Sequence, residues 1–301
     1  MKTVLGIGNA LVDILIGLRD DELLEKYELP RGSMQLVNHD FVAGLLDETV
    51  HLENVVASGG SAANTIHGLS KLGIPTAFLG KVGDDDFGKI FRDDLLKNNI
   101  TPSLFFGITR TGRAVALVSP DSERTFATFL GASIELSEDD IDSSVFDGYT
   151  HFHVEGYLLQ NHKLIEKAVR LAKEQQLTVS LDMASFNVVE MNRDFLKSII
   201  DKHVDIVFAN EDEARAYTGQ EPGEALDTIA SECDIAVIKL GKNGSLIKRG
   251  NEKHAIGIFN VNSIDTTGAG DLYAAGFLYG LIKDFPLDKC GKIGAILAAK
   301  V

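Results

Sequence analysis

The chain has 301 residues, a mass of 32.6 kDa, 45% hydrophobic and 24% charged residues, so it can bury a sizeable core as one large domain or one domain with an insertion. A net charge of −15 and a pI near 4.9 argue against a general nucleic-acid-binding or anionic-membrane-binding surface. With two cysteines, no signal-peptide pattern and no apolar run near ~20 residues, we expect a cytoplasmic protein without a disulfide framework or a membrane span.

The N-terminal part alternates short apolar runs with helix-like segments. Apolar runs predict strands at 4–8, 14–18, 34–37 and 75–80. Helical patterns occupy 20–27, 64–72 and 87–97, and the last of these helices is entered through an acidic loop. This part of the chain therefore begins an α/β pattern.

The pattern changes between 104 and 130. Three apolar segments at 104–108, 113–118 and 125–130 are joined by turns rich in Thr, Gly, Asp and Ser. Strands linked by short turns favour a β-meander over a βαβ unit. We expect this meander to belong to a small sheet outside the main one.

Beyond Tyr149 the alternation becomes regular. Strands predicted at 151–154, 178–181, 206–208 and 236–240 alternate with helices such as 163–175 and 211–217. Short buried strands separated by helices imply a mostly parallel sheet covered on both faces. The sequence thus predicts an α/β fold with a doubly wound core and a small β-sheet built from two separate insertions.

Two glycine-rich turns that open helices are the candidate functional motifs. Residues 265–271 read Asp-Thr-Thr-Gly-Ala-Gly-Asp, so the first helical turn would combine free N–H groups for an anion with a carboxylate that can accept a proton. The alternative is an ordinary helix capped by Thr267 or Asp265. In the other turn, Gly59 and Gly60 precede Asn64, which suits close contact with a hydroxylated ligand; the alternative is a tight turn in which Asn64 only caps.

These motifs, together with 83–88 (Gly-Asp-Asp-Asp-Phe-Gly) and 210–213 (Asn-Glu-Asp-Glu), occur in the order seen in ribokinase-like (PfkB family) sugar and nucleoside kinases, and the chain resembles that family along nearly its whole length. The resemblance implies a kinase that uses ATP and Mg²⁺. It also implies an α/β core of residues 1–12, 40–102 and 131–301, with a β lid of residues 13–39 and 103–130 over the sugar.

The resemblance gives the 265–271 motif its chemistry. Asp271 would be the general base that receives the proton of a primary hydroxyl as its oxygen attacks the γ-phosphorus. Gly268, Ala269 and Gly270 would supply backbone N–H groups as the anion hole.

On the nucleotide side, Asn210 and Glu213 would organise Mg²⁺ and phosphates, with Glu213 acting through water. Their alternative is a capping box at the start of a helix. Lys239, Gly241 and Gly244 match the place where relatives cradle nucleotide phosphates and ribose, although Lys239 replaces a hydroxyl residue common there, so its role stays open.

The same likeness leaves two features of the C-terminal part undecided. Asp265 is a candidate for holding a monovalent cation such as K⁺. Relatives continue beyond the position of Val301 into part of the adenine pocket, so we expect either a truncated sequence or a differently built pocket wall.

On the acceptor side, the resemblance places Asp13, Gly59, Gly60 and Asn64 as a polar wall able to hold vicinal diols. Glu155 is positioned like the acid that ribokinases direct toward the sugar ring.

The opening around Asn9 and Asp13 and the segment containing Arg124 look more like a nucleoside kinase, so adenosine is the first expectation. A free-sugar kinase for ribose or fructose is the alternative, and a non-catalytic ligand-binding relative is the second. Because unprotected strand edges invite partners, a homodimer through lid strands is a further expectation.

Overall fold

The computed structural model describes residues 2–259 and 268–300, and within these ranges it contains a nine-stranded and a five-stranded sheet. The strands are β1 (Val4–Ile7), β2 (Leu11–Gly17), β3 (Met34–Leu36), β4 (Asn54–Gly59), β5 (Thr76–Gly83), β6 (Ile100–Gly107), β7 (Gly112–Val118), β8 (Arg124–Phe129), β9 (His151–Glu155), β10 (Thr178–Asp182), β11 (Ile206–Asn210), β12 (Ile235–Lys239), β13 (Ser245–Arg249) and β14 (Glu252–Ile256). The α-helices are α1 (Glu22–Lys26), α2 (His39–Glu48), α3 (Ser61–Lys71), α4 (Asp86–Lys97), α5 (His162–Glu174), α6 (Phe186–Met191), α7 (Arg193–His203), α8 (Glu211–Thr218), α9 (Pro222–Ile229), α10 (Ala269–Ile282) and α11 (Leu287–Ala298). No described helix is long and apolar enough to cross a membrane.

The large sheet has the strand order β14-β13-β12-β11-β10-β9-β1-β5-β6. The pairs from β12 to β6 are parallel, whereas β13 and β14 are antiparallel additions at one edge. One apolar cluster contains residues of α3, α4, α10 and α11, and the other contains residues of α5, α7, α8 and α9. Because helices cover both faces, the central strands are buried almost throughout. This confirms the predicted doubly wound α/β fold.

The small sheet has the strand order β3-β8-β7-β2-β4. One of its faces is covered by α1 and α2, where Leu24, Val42 and Leu45 share an apolar cluster with Ile14 and Ile16 of β2. The chain enters this sheet from β1 through residues 8–10 and returns from β4 into α3. The small sheet is therefore joined to the large one beside the carboxyl end of β1.

The predicted β-meander at 104–130 is wrong for its first strand. β6 begins at Ile100, directly after α4, and pairs in parallel with β5 from Thr76↔Ile100 to Gly83↔Gly107, so it completes a βαβ unit of the large sheet. Of the three strands predicted for the meander, β7 and β8 do form an antiparallel pair in the small sheet. The short turn between β6 and β7 carries the chain from one sheet to the other, which a local pattern of strands and turns does not reveal.

Sheet membership differs from the predicted boundaries in three places. Residues 11–12 belong to the small sheet as the start of β2, residues 54–59 belong to it as β4, and residues 103–107 belong to the large sheet as part of β6. The division of the chain into a core and a movable lid itself stays a prediction.

Candidate active site

The candidate site lies where parallel strands of the large sheet end beside the start of two helices. Ligands of open α/β sheets bind outside the carboxyl ends of the strands, because loops and helix N-termini converge there. The polar side chains that end these strands are Glu155 (β9), Asp182 (β10), Asn210 (β11) and Lys239 (β12). The N-termini of α3 and α10 complete this edge.

Helix α10 begins at Ala269, and its N-cap is Gly268 in a left-handed conformation (φ 79°). Glycine adopts this conformation without strain and has no side chain to cap the helix. The first backbone bond inside the helix runs from Leu272 N to Gly268 O (2.9 Å). The N–H groups of Ala269 and Gly270 therefore have no partner within the helix, which makes this end an anion site. Asp265 and Thr267 lie outside the described residues.

Asp271 lies in the first turn of α10 and is oriented by α3. Ser61 Oγ donates to Oδ1 (2.7 Å), Asn64 Nδ2 donates to Oδ2 (2.9 Å), and Thr65 Oγ1 donates to the Asp271 carbonyl (3.2 Å). The two helices come close at Gly68, where a methyl group would lie 2.6 Å from Ala275 Cβ. Helix packing therefore fixes the carboxylate in one orientation.

The pKa of Asp271 is raised to about 6, mainly because the carboxyl group is buried. The donors Asn64 and Ser61 and the ammonium of Lys239 pull this pKa down, whereas the charge of Asp182 pushes it up. A carboxylate with this pKa is ionised at neutral pH but is more basic than an exposed aspartate. It can therefore accept a proton from a hydroxyl group.

The predicted acceptor wall comes together around Asp13. Its carboxylate lies over the Cα of Gly59, so that a methyl group there would overlap it. Gly60 adopts φ 99° and a side chain there would collide with the carbonyl of Asn9. The pKa of Asp13 is about 7, because burial and the charge of Asp271 raise it by more than Arg124 lowers it. Asp13 and Asp271 therefore share one electrostatic environment.

Glu155 is buried beneath this wall and contacts both connections between the sheets. Oε1 accepts from Asn9 Nδ2 (2.7 Å) and Asn9 N (3.3 Å), and Oε2 accepts from Ala62 N (3.0 Å). Burial raises the pKa of Glu155 to about 7, although these donors oppose the rise. Because both oxygens already accept protein donors, the geometry supports a role in holding the two connections, and a contact to the sugar ring stays a prediction.

The open face of the small sheet is the one opposite α1 and α2. Strand register places its side chains in two rows, because paired residues of neighbouring strands point to the same face. The first row is Ala57, Asp13, Ala114, Thr128 and Leu36, and the second row is Val55, Leu15, Ala116, Phe126 and Met34. Leu36 and Met34 are 61% and 51% exposed. In these two rows Asp13 and Thr128 are polar, and the other side chains are apolar.

Asn210 and Glu213 form the capping box that was the alternative interpretation of their spacing. Asn210 N and Nδ2 donate to the two Glu213 oxygens (2.7 and 2.6 Å), and Glu213 N donates to Asn210 Oδ1 (2.8 Å). Burial and the nearby Asp182 raise the pKa of Glu213 to about 7. Both Glu213 oxygens are used, and the described residues hold no group of three side chains able to bind a metal. These residues therefore fit Mg²⁺ only through intervening water.

The predicted nucleotide turn follows β12. Gly244 has φ 90°, and a side chain there would collide with the Ile256 carbonyl, so packing alone requires glycine. Gly241 has φ 51° and faces open space, which leaves its backbone accessible to a ligand. Lys239 turns away from this loop and pairs with Asp182 (Nζ–Oδ2 2.7 Å).

Sequence reasoning missed two residues of this site. Ser61 holds Asp271, and its place in the Gly-Gly-Ser turn beside Asn64 was a signal for it. Asp182 pairs with Lys239, and the signal was an acid directly after the predicted strand at 178–181. Acids at the carboxyl ends of parallel strands converge on the ligand edge of the sheet.

Comparisons with known proteins agree with this geometry. A family model described as pfkB family carbohydrate kinase matches residues 39–301. The fold is similar to an adenosine kinase from Sinorhizobium meliloti (36% identity, 99% of this chain and 92% of that chain, TM-score 0.87). It is also similar to a probable sugar kinase from Rhizobium etli CFN 42 (33% identity, 99% and 92%, TM-score 0.87). Probable fructokinase-7 of Arabidopsis thaliana is 31% identical over 251 residues, which cover 77% of this chain and 72% of the relative.

Proposed function

Because the chain belongs to the pfkB family of carbohydrate kinases, we propose that it phosphorylates the primary hydroxyl of adenosine or a closely related nucleoside. Membership makes it an ATP-dependent phosphotransferase that acts on a hydroxyl group of a sugar or nucleoside. The choice of a nucleoside over a free sugar as the acceptor rests on the open face of the small sheet.

This open face suits a molecule that has a hydroxylated part and a flat apolar part. Asp13 can accept hydrogen bonds from two neighbouring hydroxyls, and the small neighbours Ala57 and Ala114 leave room around it. The adjoining row with Leu15 and Phe126 offers apolar contact but no hydrogen-bonding side chain. A free sugar would leave this row uncovered, whereas a nucleobase would bury it. The similarity to the adenosine kinase from Sinorhizobium meliloti supports the same choice.

The reaction follows from the placement of Asp271 beside the N-terminus of α10. Asp271 accepts the proton of the acceptor hydroxyl while the oxygen of that hydroxyl attacks the γ-phosphorus, and ADP leaves. The N–H groups of Gly268, Ala269 and Gly270 stabilise the negative charge of the phosphoryl oxygens. Ser61 and Asn64 keep the carboxylate aimed at the hydroxyl.

The nucleotide would lie along the turn after β12. Gly241 would approach it through its accessible backbone, and Gly244 would shape the turn. Mg²⁺, when bound, neutralises phosphate charge; Asn210 and Glu213 would hold it through water.

Substrate-dependent ADP release with Mg-ATP tests the proposal, with adenosine, inosine, ribose and fructose as acceptors and Asp271→Asn in parallel. A preference for adenosine that disappears in this variant supports it. A preference for ribose or fructose would make the protein a free-sugar kinase, and nucleotide binding without turnover would make it a ligand-binding relative.

Phe126→Ala tests the role of the apolar row. We expect this change to raise the KM for adenosine by roughly tenfold, the scale of one lost apolar contact, with little effect on a poor free-sugar acceptor. Val56→Ala is the control, because Val56 pairs with Ile14 and therefore points to the opposite face of the same sheet. An equal effect of both changes would argue against base binding on this face.

Three further properties belong to the proposal. We expect the enzyme to act in the cytoplasm, to show K⁺ activation if Asp265 binds a monovalent cation, and to form a homodimer through edge strands of the small sheet. Fractionation, replacement of K⁺ in the assay buffer and light scattering test these in turn.

A further inference from the structure

A buried ion pair joins two strand ends beside the anion site. Lys239 ends β12, and its side chain crosses β11 to reach Asp182 at the end of β10. The ammonium nitrogen lies 2.7 Å from Asp182 Oδ2, and the two side chains are 16% and 6% exposed. Burying two charges is expensive, and an apolar pair of similar size is often as stable. Stabilisation of the fold therefore does not by itself explain why this ion pair is buried here.

The Lys239 ammonium lies against the first turn of α10. A methyl group at Gly270 would lie 3.2 Å from Lys239 Nζ, so the cation is next to the N–H groups of the anion site. Lys239 also lowers the pKa of Asp271 in the same turn. The helix N-terminus and the ammonium thus present positive charge to the same place.

Three carboxylates surround this single ammonium. Burial alone favours the neutral amine, but Asp182, Glu213 and Asp271 outweigh burial and raise the pKa of Lys239. The Lys239 side chain is therefore protonated at neutral pH. Among the described residues, Lys239 Nζ donates a hydrogen bond to Asp182, and this bond holds the ammonium beside the first turn of α10.

We propose that Asp182 and Lys239 form a positioning pair, in which Asp182 holds the Lys239 ammonium at the first turn of α10 so that it adds charge to the site of the transferred phosphoryl group. The inference rests on the proposed function of α10 as the phosphoryl-binding end. It assigns Asp182 a role that acts through Lys239.

The first test compares ligand affinities by calorimetry, with Mg-ADP and with a non-hydrolysable ATP analogue. If Lys239 faces the transferred group, Lys239→Met should lower the affinity for the ATP analogue by roughly tenfold or more and change the affinity for Mg-ADP by less than about threefold. Lys239→Arg should recover part of the loss because it keeps the charge. Equal affinities of the variant and the wild type for both ligands would overturn the proposal.

The second test is a double-mutant cycle in the ADP-release assay. Lys239→Met should lower kcat by about 10²–10³, the scale for losing one preorganised donor, and leave the acceptor KM within about threefold. Asp182→Asn should lower kcat less, and it should cost almost nothing once residue 239 is Met, because it acts through the lysine. Additive losses would show that the two residues act separately.

The ion pair of Lys81 and Asp140 provides a matched control. Its Nζ–Oδ2 distance is 2.9 Å and its side chains are 13% and 17% exposed, but it lies between β5 and the turn around Asp140. Lys81→Met should lower thermal stability without changing kcat. If Lys239→Met behaves in the same way, the pair is structural only. Absence of any turnover in the wild type would instead reject the proposed acceptor, and the calorimetric comparison would still decide the role of Lys239.

Discussion

Lowering the pH through 6 should switch off turnover, because the proton acceptor becomes protonated. The pKa of Asp271 is about 6, which reflects burial against the opposing donors Asn64 and Ser61. For a single base, roughly a tenth of the enzyme is ionised one pH unit below that pKa. We therefore expect kcat at pH 5 to be about tenfold below its plateau near pH 8, and to fall about another tenfold per pH unit below.

Two variants identify the group responsible. Asp271→Asn should leave a residual rate about 10²–10⁴ below that of the wild type that no longer depends on pH between 5 and 8. Ser61→Ala removes a donor that stabilises the carboxylate, so the acid limb should move to higher pH. Asp13→Asn is the control, since the pKa of Asp13 also lies near 7 but its carboxylate would bind the acceptor.

The assay is continuous ADP release at saturating ATP and acceptor from pH 4.5 to 8.5, with the coupling enzymes in excess at each pH. A kcat that stays flat from pH 7 to 5 would refute the role of Asp271 as the proton acceptor. So would an acid limb that persists in Asp271→Asn or disappears in Asp13→Asn.

Four other changes test the packing and the buried charges of the fold. Gly68→Ala would push α10 away from α3, so in urea unfolding we expect the free energy of unfolding to fall by about 1–3 kcal/mol, and kcat should fall more than the acceptor affinity. Gly223→Ala is the control: it lies in open space on α9 and should raise the free energy of unfolding by about 0.5–1 kcal/mol. The pKa of Glu155 is raised from 4.5 to about 7 in the folded state, so its contribution to stability is present below pH 4.5 and is lost as the pH rises through 7. In Glu155→Gln, the change in the free energy of unfolding between pH 5 and 8 should therefore be smaller by up to about 3 kcal/mol. An unchanged pH dependence would contradict the raised pKa. Arg113 is buried, and its Nε and Nη2 have no hydrogen-bond partner among the described residues, so Arg113→Met should unfold at the same or a higher temperature; a large loss would mean that the guanidinium is paired in solution.

Much of the fold was predictable because its signals are local. The strands predicted at 4–8, 151–154, 178–181, 206–208 and 236–240 all belong to the large sheet. Those at 4–8, 206–208 and 236–240 are mainly apolar, as strands buried on both faces usually are. The strands at 151–154 and 178–181 carry His, Thr or Ser at every second position and could be recognised by their regular alternation with helices. The strand β4 was missed, since Asn54 to Val56 are exposed and the segment has no such pattern.

The candidate site was predictable only in part. Asp271 and the glycines before it form one continuous segment, so residue types and spacing could single it out as a candidate, and the family resemblance supplied its proposed role. The two roles considered for Glu213 could not be separated by spacing, because a capping box and a metal-organising acid have the same sequence. The structure supplies the bonds from Asn210 to both Glu213 oxygens.

By itself, the sequence determined most of the order of strands and helices and the position of the glycine-rich turns, because these depend on the chemistry of neighbouring residues. Tertiary structure alone decided which distant groups meet. Ser61 and Asp271 are 210 residues apart, and Asp182 and Lys239 are 57 apart. Their contacts exist because α3 packs on α10 at Gly68 and because parallel strands bring their carboxyl ends to one edge of the sheet. Such pairings arise from packing over long chain separations, on which local periodicity carries no information.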